Sequence, residues 1–260
     1  MLKGRVAVVT GSTSGIGLGI ARALAAEGCD IMMNGFGDPS EIEEIRAGVE
    51  NVFGVKALFN GADLSKSDQC EQLIKDAETR FGKLDILVNN AGIQHVSPIE
   101  KFPVDRWDAI IAINLSSSFH TMRAAIPAMR RAGWGRIINI ASTHGLVASA
   151  NKSAYVAAKH GIMGLTKTAA LELAGTGITC NAICPGWVLT PLVKKQIEDR
   201  ALRENILIPD AENDLLMEKQ PSGKFTTVEQ LGAFAVFLCS PGADNITGVP
   251  LPVDGGWTAQ

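Results

Sequence analysis

The chain has no surplus of positive charge. Its 24 lysines and arginines stand against 27 aspartates and glutamates, a formal net charge of −3 over 260 residues. A nucleic-acid surface needs clustered cations, so no nucleic-acid partner is expected. No apolar run approaches the roughly 20 residues of a membrane span, and MLKGRVAVVTG lacks the long apolar core and cleavage site of a signal peptide. The expectation is a cytoplasmic protein without a membrane partner. Five cysteines (Cys29, Cys70, Cys180, Cys184, Cys239) form no CxxC pair. That odd number fits buried thiols rather than disulfides or zinc ligation, so no metal site is expected. Cys180 and Cys184 would share one side of a strand and face the core. No linker, repeat or low-complexity tract divides the chain, which predicts one domain over 1–260. Tyrosine is nearly absent too: Tyr155 is the only one.

What is present is a rhythm. Short apolar runs alternate with longer amphipathic stretches: RVAVVT then Gly15 to Gly28, DIMMN then Pro39 to Val52, VKALF then Ser65 to Phe81. LDILVNN, RIINIAS and ITCNAICP continue the series. Near-continuous apolar runs suit parallel strands covered on both faces by helices, and the alternation predicts an α/β fold, a doubly wound parallel sheet of Rossmann type. Thr190 to Gly223 breaks the pattern: it is charged, favours helix and contains Pro191, Pro209 and Pro221. Residues 190–223 read as a helical insertion, either a lid over the crevice at the carboxyl ends of the strands or a solvated surface excursion.

Gly11-Ser12-Thr13-Ser14-Gly15-Ile16-Gly17 follows the first strand and opens the first helix. Small residues there let the backbone turn tightly toward a pyrophosphate, and free N–H groups at a helix start favour its negative charge. The GxxxGxG spacing resembles the nucleotide loop of the short-chain dehydrogenase/reductase family. Asn90-Ala91-Gly92 within NNAG, Asn114, Ser142, Tyr155-x-x-x-Lys159 and Pro185-Gly186 fall at that family's spacings, so the resemblance covers nearly the whole chain. It implies hydride transfer between a nicotinamide and a secondary alcohol. It also implies cofactor contacts from Gly11, Thr13, Ser14, Gly15, Ile16 and Gly17, from Asp63 and Leu64 near the adenine, and from Asn90, Ala91 and Gly92. Further contacts are implied for Tyr155, Lys159, Pro185, Gly186, Val188 and Thr190.

Tyr155 and Lys159 are four apart in SAYVAAKHG and share a helix face. A neighbouring ammonium and an oxidised nicotinamide both favour phenolate, so Tyr155 is the candidate acid/base. Ser142, at the end of RIINIAS, can hold the reacting oxygen beside it. Asn114 lies in the helical stretch WDAIIAINLSSSF; the resemblance implies that it holds a water linking Lys159 to solvent, and a helix irregularity satisfied by its own amide is the alternative.

Asn34-Gly35-Phe36-Gly37-Asp38, after the second strand, contains no cation, nor does Ser12-Thr13-Ser14. A ribose 2′-phosphate would lack a partner, so NAD is expected over NADP, with Phe36 at the adenosine ribose. The blocks around Gln94, His144, Lys152, Trp187, Gln196 and Trp257 resemble the branch of the family that interconverts D-3-hydroxybutyrate and acetoacetate. On that resemblance Gln94, His144, Lys152 and Gln196 hold the carboxylate of a small 3-hydroxy acid, Trp187 and Trp257 wall its apolar end, and the assembly is a homotetramer. A small anion needs a fixed cation and directional donors to replace its hydration. Thr143, Leu189 and residues 223–227 depart from that branch's pattern. The alternatives are a 3-oxoacyl thioester reductase using NADPH and a nucleotide-binding regulatory protein without turnover.

Overall fold

In the computed structural model, which describes residues 2–259, seven strands form one parallel sheet. They are β1 (Val6–Val9), β2 (Asp30–Asn34), β3 (Ala57–Asn60), β4 (Ile86–Asn89), β5 (Gly135–Ile140), β6 (Ile178–Pro185) and β7 (Pro250–Val253). Their spatial order is β3-β2-β1-β4-β5-β6-β7. The all-apolar β1 and the buried β4 to β6 lie in the middle, as strands covered on both faces must. β7 carries Pro250 and Pro252, which cannot complete a ladder and are tolerated because the strand is an edge.

Winding reverses between β1 and β4, and this switch opens a crevice beyond the carboxyl ends of both strands. One face is covered by α1 (Gly15–Ala26), α2 (Pro39–Phe53) and α9 (Val228–Leu238), through Ile20, Leu24, Val49, Leu231 and Leu238. The other is covered by α3 (Ser67–Phe81), α5 (Ser117–Ala132) and α6 (Ser153–Glu172), through Leu73, Ile74, Met122, Met129 and Ala169. Cys180 and Cys184 both pack toward α6, and all five cysteines are buried and unpaired.

Two local boundaries differ from the sequence expectation. α3 starts at Ser67 rather than Ser65, because the Asp63 carboxylate accepts from the Ser65 backbone and hydroxyl and holds 63–66 as a turn. The stretch WDAIIAINLSSSF is not one regular helix: α4 (Val104–Ile111) passes through a π-helical turn, Ala112–Ser116, before α5 begins. The insertion folds as two helices, α7 (Pro191–Glu204) and α8 (Ile208–Met217). They share a small core of Val193, Ile197, Ala201, Ala211 and Leu215, with Trp187 and Phe225 packed against it.

Candidate active site

At the end of β1 the chain turns through Gly11 (φ 60°) and Gly15 (φ 53°), backbone angles that a side chain would strain. Ser12 is buried and donates to the Val9 carbonyl at 2.8 Å, folding the loop back on its own strand. Asn90, just past β4, clamps it, its amide donating to the carbonyls of Thr10 (2.9 Å) and Gly11 (3.0 Å). A Cβ on Gly17 would collide with the Gly11 carbonyl and the Asn90 amide, so only glycine lets α1 seat this close. Ser14, the N-cap of α1, places no side chain over the first-turn N–H groups, which leaves them available to an anion. An open cradle of this kind, with a glycine-limited approach, fits a dinucleotide pyrophosphate.

The cleft that begins there encloses about 350 Å³ and runs past Phe36 and Leu64 at one end to Trp187 and Trp257 at the other. Thr13, Ile16, Ala91, Gly92, Pro185, Gly186, Val188 and Thr190 also line it. Asp63 does not, one of its carboxylate oxygens accepting from Ser65; Leu64 alone represents that pair in the wall. Asp38 is likewise occupied, capping α2 by accepting from the backbones of Ser40 and Glu41. Thr13 donates to the Phe36 carbonyl at 3.0 Å, joining the phosphate loop to the turn after β2. Among the described residues lining the cleft, the only Lys or Arg side chains are Lys152 and Lys159.

α6 places Tyr155 and Lys159 on one face toward the end of β5, where Ser142 emerges. The Tyr155 and Ser142 side chains both line the cleft there. Burial holds the Tyr155 phenol above its ordinary pKa, and the neighbouring Ser142 hydroxyl partly offsets this. The Lys159 ammonium lies 5.6 Å from the Tyr155 ring centre and donates to the Ile140 carbonyl at 2.7 Å. Burial lowers its pKa to about 8. The expected activation of Tyr155 by Lys159 is therefore outweighed by desolvation in the protein alone, and phenolate needs further positive charge in the cleft. The Asn114 side chain lies outside the cleft wall: its oxygen accepts from the Ile93 N–H and its nitrogen donates to the Ile93 carbonyl, both at 2.9 Å. A π-helical turn interrupts the helix at Asn114, and its amide bonds not its own helix but the loop after β4.

Beyond Ser142 the far end of the cleft is aromatic. His144 packs edge-on to Tyr155 (5.9 Å between ring centres) and to Trp257 (5.4 Å), and Trp257 meets Trp187 at 5.6 Å. The His144 imidazole is bonded to Ser149 at 2.9 Å and, chiefly through burial, has its pKa lowered to about 4, so it is neutral at ordinary pH. Lys152, at the start of α6, is lowered to about 8 by burial. Its ammonium sits 5.0 Å over the Trp187 ring, and no carboxylate among the described residues pairs with it. Gln196 of α7 donates to Gln94 at 3.4 Å, while the Gln94 nitrogen is buried without a partner. The fold thus gathers Gln94, His144, Lys152 and Gln196 around one end of the cleft, with an unneutralised cation and an unused donor. An anion would satisfy both.

Sequence reasoning missed two supports. Ser149, which orients His144, gave no signal of its own. Gln220, wholly buried behind Trp187, looked like part of a polar insertion. Among the described residues no cluster of His, Cys, Asp or Glu is arranged to hold a metal, and no helix is long and apolar enough to cross a membrane.

Comparison with known proteins matches residues 5–201 to the short chain dehydrogenase family model. The chain is 60% identical to D-beta-hydroxybutyrate dehydrogenase of Cupriavidus necator, with all of both chains covered. It is 56% identical to the enzyme of the same name from Rhizobium meliloti, covering 98% of this chain and 99% of that one. Among solved structures, an actinorhodin polyketide ketoreductase with NADPH superposes with a TM-score of 0.93 at 33% identity, covering 100% of both chains.

Proposed function

The chain belongs to the short-chain dehydrogenase family, whose cofactor is a nicotinamide dinucleotide, and we propose that it oxidises D-3-hydroxybutyrate reversibly to acetoacetate with NAD. The observation that carries the substrate is Lys152, a cation without a carboxylate partner, facing the same end of the cleft as the Ser142–Tyr155 pair. A charge left unpaired and half-buried is costly, and a substrate carboxylate offsets that cost. The identity to two D-beta-hydroxybutyrate dehydrogenases supports the same reading.

The bound oxidised nicotinamide supplies a hydride acceptor. Lys152 takes the carboxylate, with neutral donors from His144, Gln94 and Gln196. Ser142 holds the hydroxyl oxygen of the reacting carbon, and Tyr155 accepts its proton. Trp187 and Trp257 wall the methyl end of the substrate. With carboxylate, oxygen and methyl fixed to three different walls, the site would distinguish the two enantiomers. Lys159 would hold the nicotinamide ribose and adds positive charge near Tyr155, while Asn114 acts through the loop it braces. α7 and α8 serve as the lid, bringing Gln196 onto the substrate and excluding water.

NAD rather than NADP is favoured because both lysines of the wall lie beside the reacting end. Among the described residues lining it, the Phe36 end offers a 2′-phosphate no cation, and Asp38 is engaged as a cap. Assembly as a homotetramer fits the exposed apolar side chains Val104, Trp107 and Phe119 on α4 and α5. The test is a comparison of kcat/KM for D-3-hydroxybutyrate, its L enantiomer and longer 3-hydroxy acids, with each cofactor. Preference for the L form, or for a longer acid, sinks the substrate reading.

A further inference from the structure

The two indoles that close the cleft come from distant parts of the chain, and a third segment holds them apart. Gln220 lies in the strap that follows α8 and is wholly buried. Its side-chain oxygen accepts from the backbone N–H of Trp187 at 2.8 Å, and its side-chain nitrogen donates to the Lys224 carbonyl. The carbonyl of Trp187 accepts from the Thr226 N–H at 2.9 Å, so both backbone polar groups of Trp187 are held by residues 220–226. The same strap reaches the C-terminal turn, where the Ser222 N–H donates to the Gly255 carbonyl at 3.0 Å.

Two glycines show how tightly Gln220 is wedged. A Cβ on Gly186, next to Trp187, would stand 2.5 Å from the Gln220 side-chain oxygen. A Cβ on Gly255, two residues before Trp257, would stand 2.7 Å from the Gln220 Cγ. The Gln220 side chain therefore fills the gap between the backbones from which the two indoles spring. Those indoles meet at 5.6 Å, and the Lys152 ammonium lies over one of them.

We propose that Gln220 is a positioning residue for substrate selection: without touching substrate, it sets the separation of Trp187 and Trp257, and with it the length of acid the cleft admits and the seat of Lys152. The inference rests on the 3-hydroxy acid reading only for its choice of substrates. Removing the amide leaves the Trp187 N–H buried without an acceptor, so Trp187 must move to find one.

The variant Gln220→Met keeps the length of the side chain and loses both hydrogen bonds. The expected result is a KM for D-3-hydroxybutyrate raised about tenfold or more, with kcat lowered by less than about threefold. Preference for the four-carbon over the six-carbon 3-hydroxy acid should fall about fivefold or more, and NADH affinity should stay within about twofold. Wild-type KM and chain-length preference in this variant overturn the proposal, as does a parallel loss of NADH affinity and of activity toward every substrate. Should Gln220→Met fail to fold, Gln220→Glu decides. Its protonated carboxyl can both accept from Trp187 and donate to Lys224, so KM should be near wild type at about pH 6 and rise as the carboxyl ionises. A defect that does not vary with pH counts against the proposal. The exciton couplet of the paired indoles in circular dichroism, assigned with Trp257→Phe, provides a readout independent of substrate. If the wild-type protein turns over no 3-hydroxy acid, the function proposed above fails, and the couplet alone judges Gln220: weakened in the variant it supports the proposal, unchanged it overturns it.

Discussion

The ammonium of Lys152 stands 5.0 Å over the ring of Trp187. A cation held against an indole face is worth roughly 0.5 to 2 kcal/mol, too little to replace the hydration lost on burial. The site is left with affinity for an anion. Lys152→Ala should lower kcat/KM for D-3-hydroxybutyrate about ten- to a hundredfold, corresponding to roughly 1.5 to 3 kcal/mol for a charge-assisted hydrogen bond. A methyl ketone of similar size without the carboxylate should be reduced equally well by wild type and variant. Equal impairment on both substrates shows that Lys152 acts through structure or chemistry instead.

The same residue gives a pH dependence. Burial lowers Lys152 to about 8, and its protonated form binds the carboxylate, so affinity is full below that pH and lost above it. The inhibition constant of unreactive butyrate should rise about tenfold per pH unit on the alkaline side. Lys152→Arg, charged throughout, should abolish that rise; its persistence would move the titration to Lys159 or Tyr155.

Tyr155→Phe removes only the phenol hydroxyl and keeps the ring that packs on His144. Turnover should vanish, with the melting temperature and NADH affinity nearly unchanged. More than about a tenth of wild-type kcat would remove Tyr155 as the acid/base. Lys159→Ala should weaken cofactor binding as well.

Cofactor choice is tested by steady-state kinetics with NAD and NADP. kcat/KM should favour NAD by at least about tenfold, on the order of 1.4 kcal/mol in transition-state binding. Parity would mean that a cation from outside the cleft wall reaches the 2′-phosphate.

Asn114→Ala strips two hydrogen bonds from the Ile93 backbone. A loss of about 1 to 3 kcal/mol is expected for buried groups left without partners, measured by urea unfolding of the apoprotein. Full stability in the variant would show that the π-helical turn holds the loop without the side chain.

The sequence by itself determined whatever depends on near neighbours. Gly11, Gly15 and Gly17 sit on one turn, where a missing Cβ decides whether the backbone can bend and the helix can approach. Tyr155 and Lys159 are four residues apart on one helix, so their meeting is fixed by helical geometry. Apolar runs spaced by amphipathic stretches left little choice but a parallel sheet with helices on both faces. The substrate end obeyed no such rule. Gln94 and Gln196 are 102 positions apart and meet only because α7 packs over the crevice. Asp63 and Asn114 matched motif positions, yet the fold committed their side chains to a local turn and to Ile93. Gln220 carried no signal, because its role exists only where Gly186 and Gly255 converge. Hydrogen bonds and close packing are satisfied in three dimensions, and which partner a polar side chain finds there is settled by the tertiary structure.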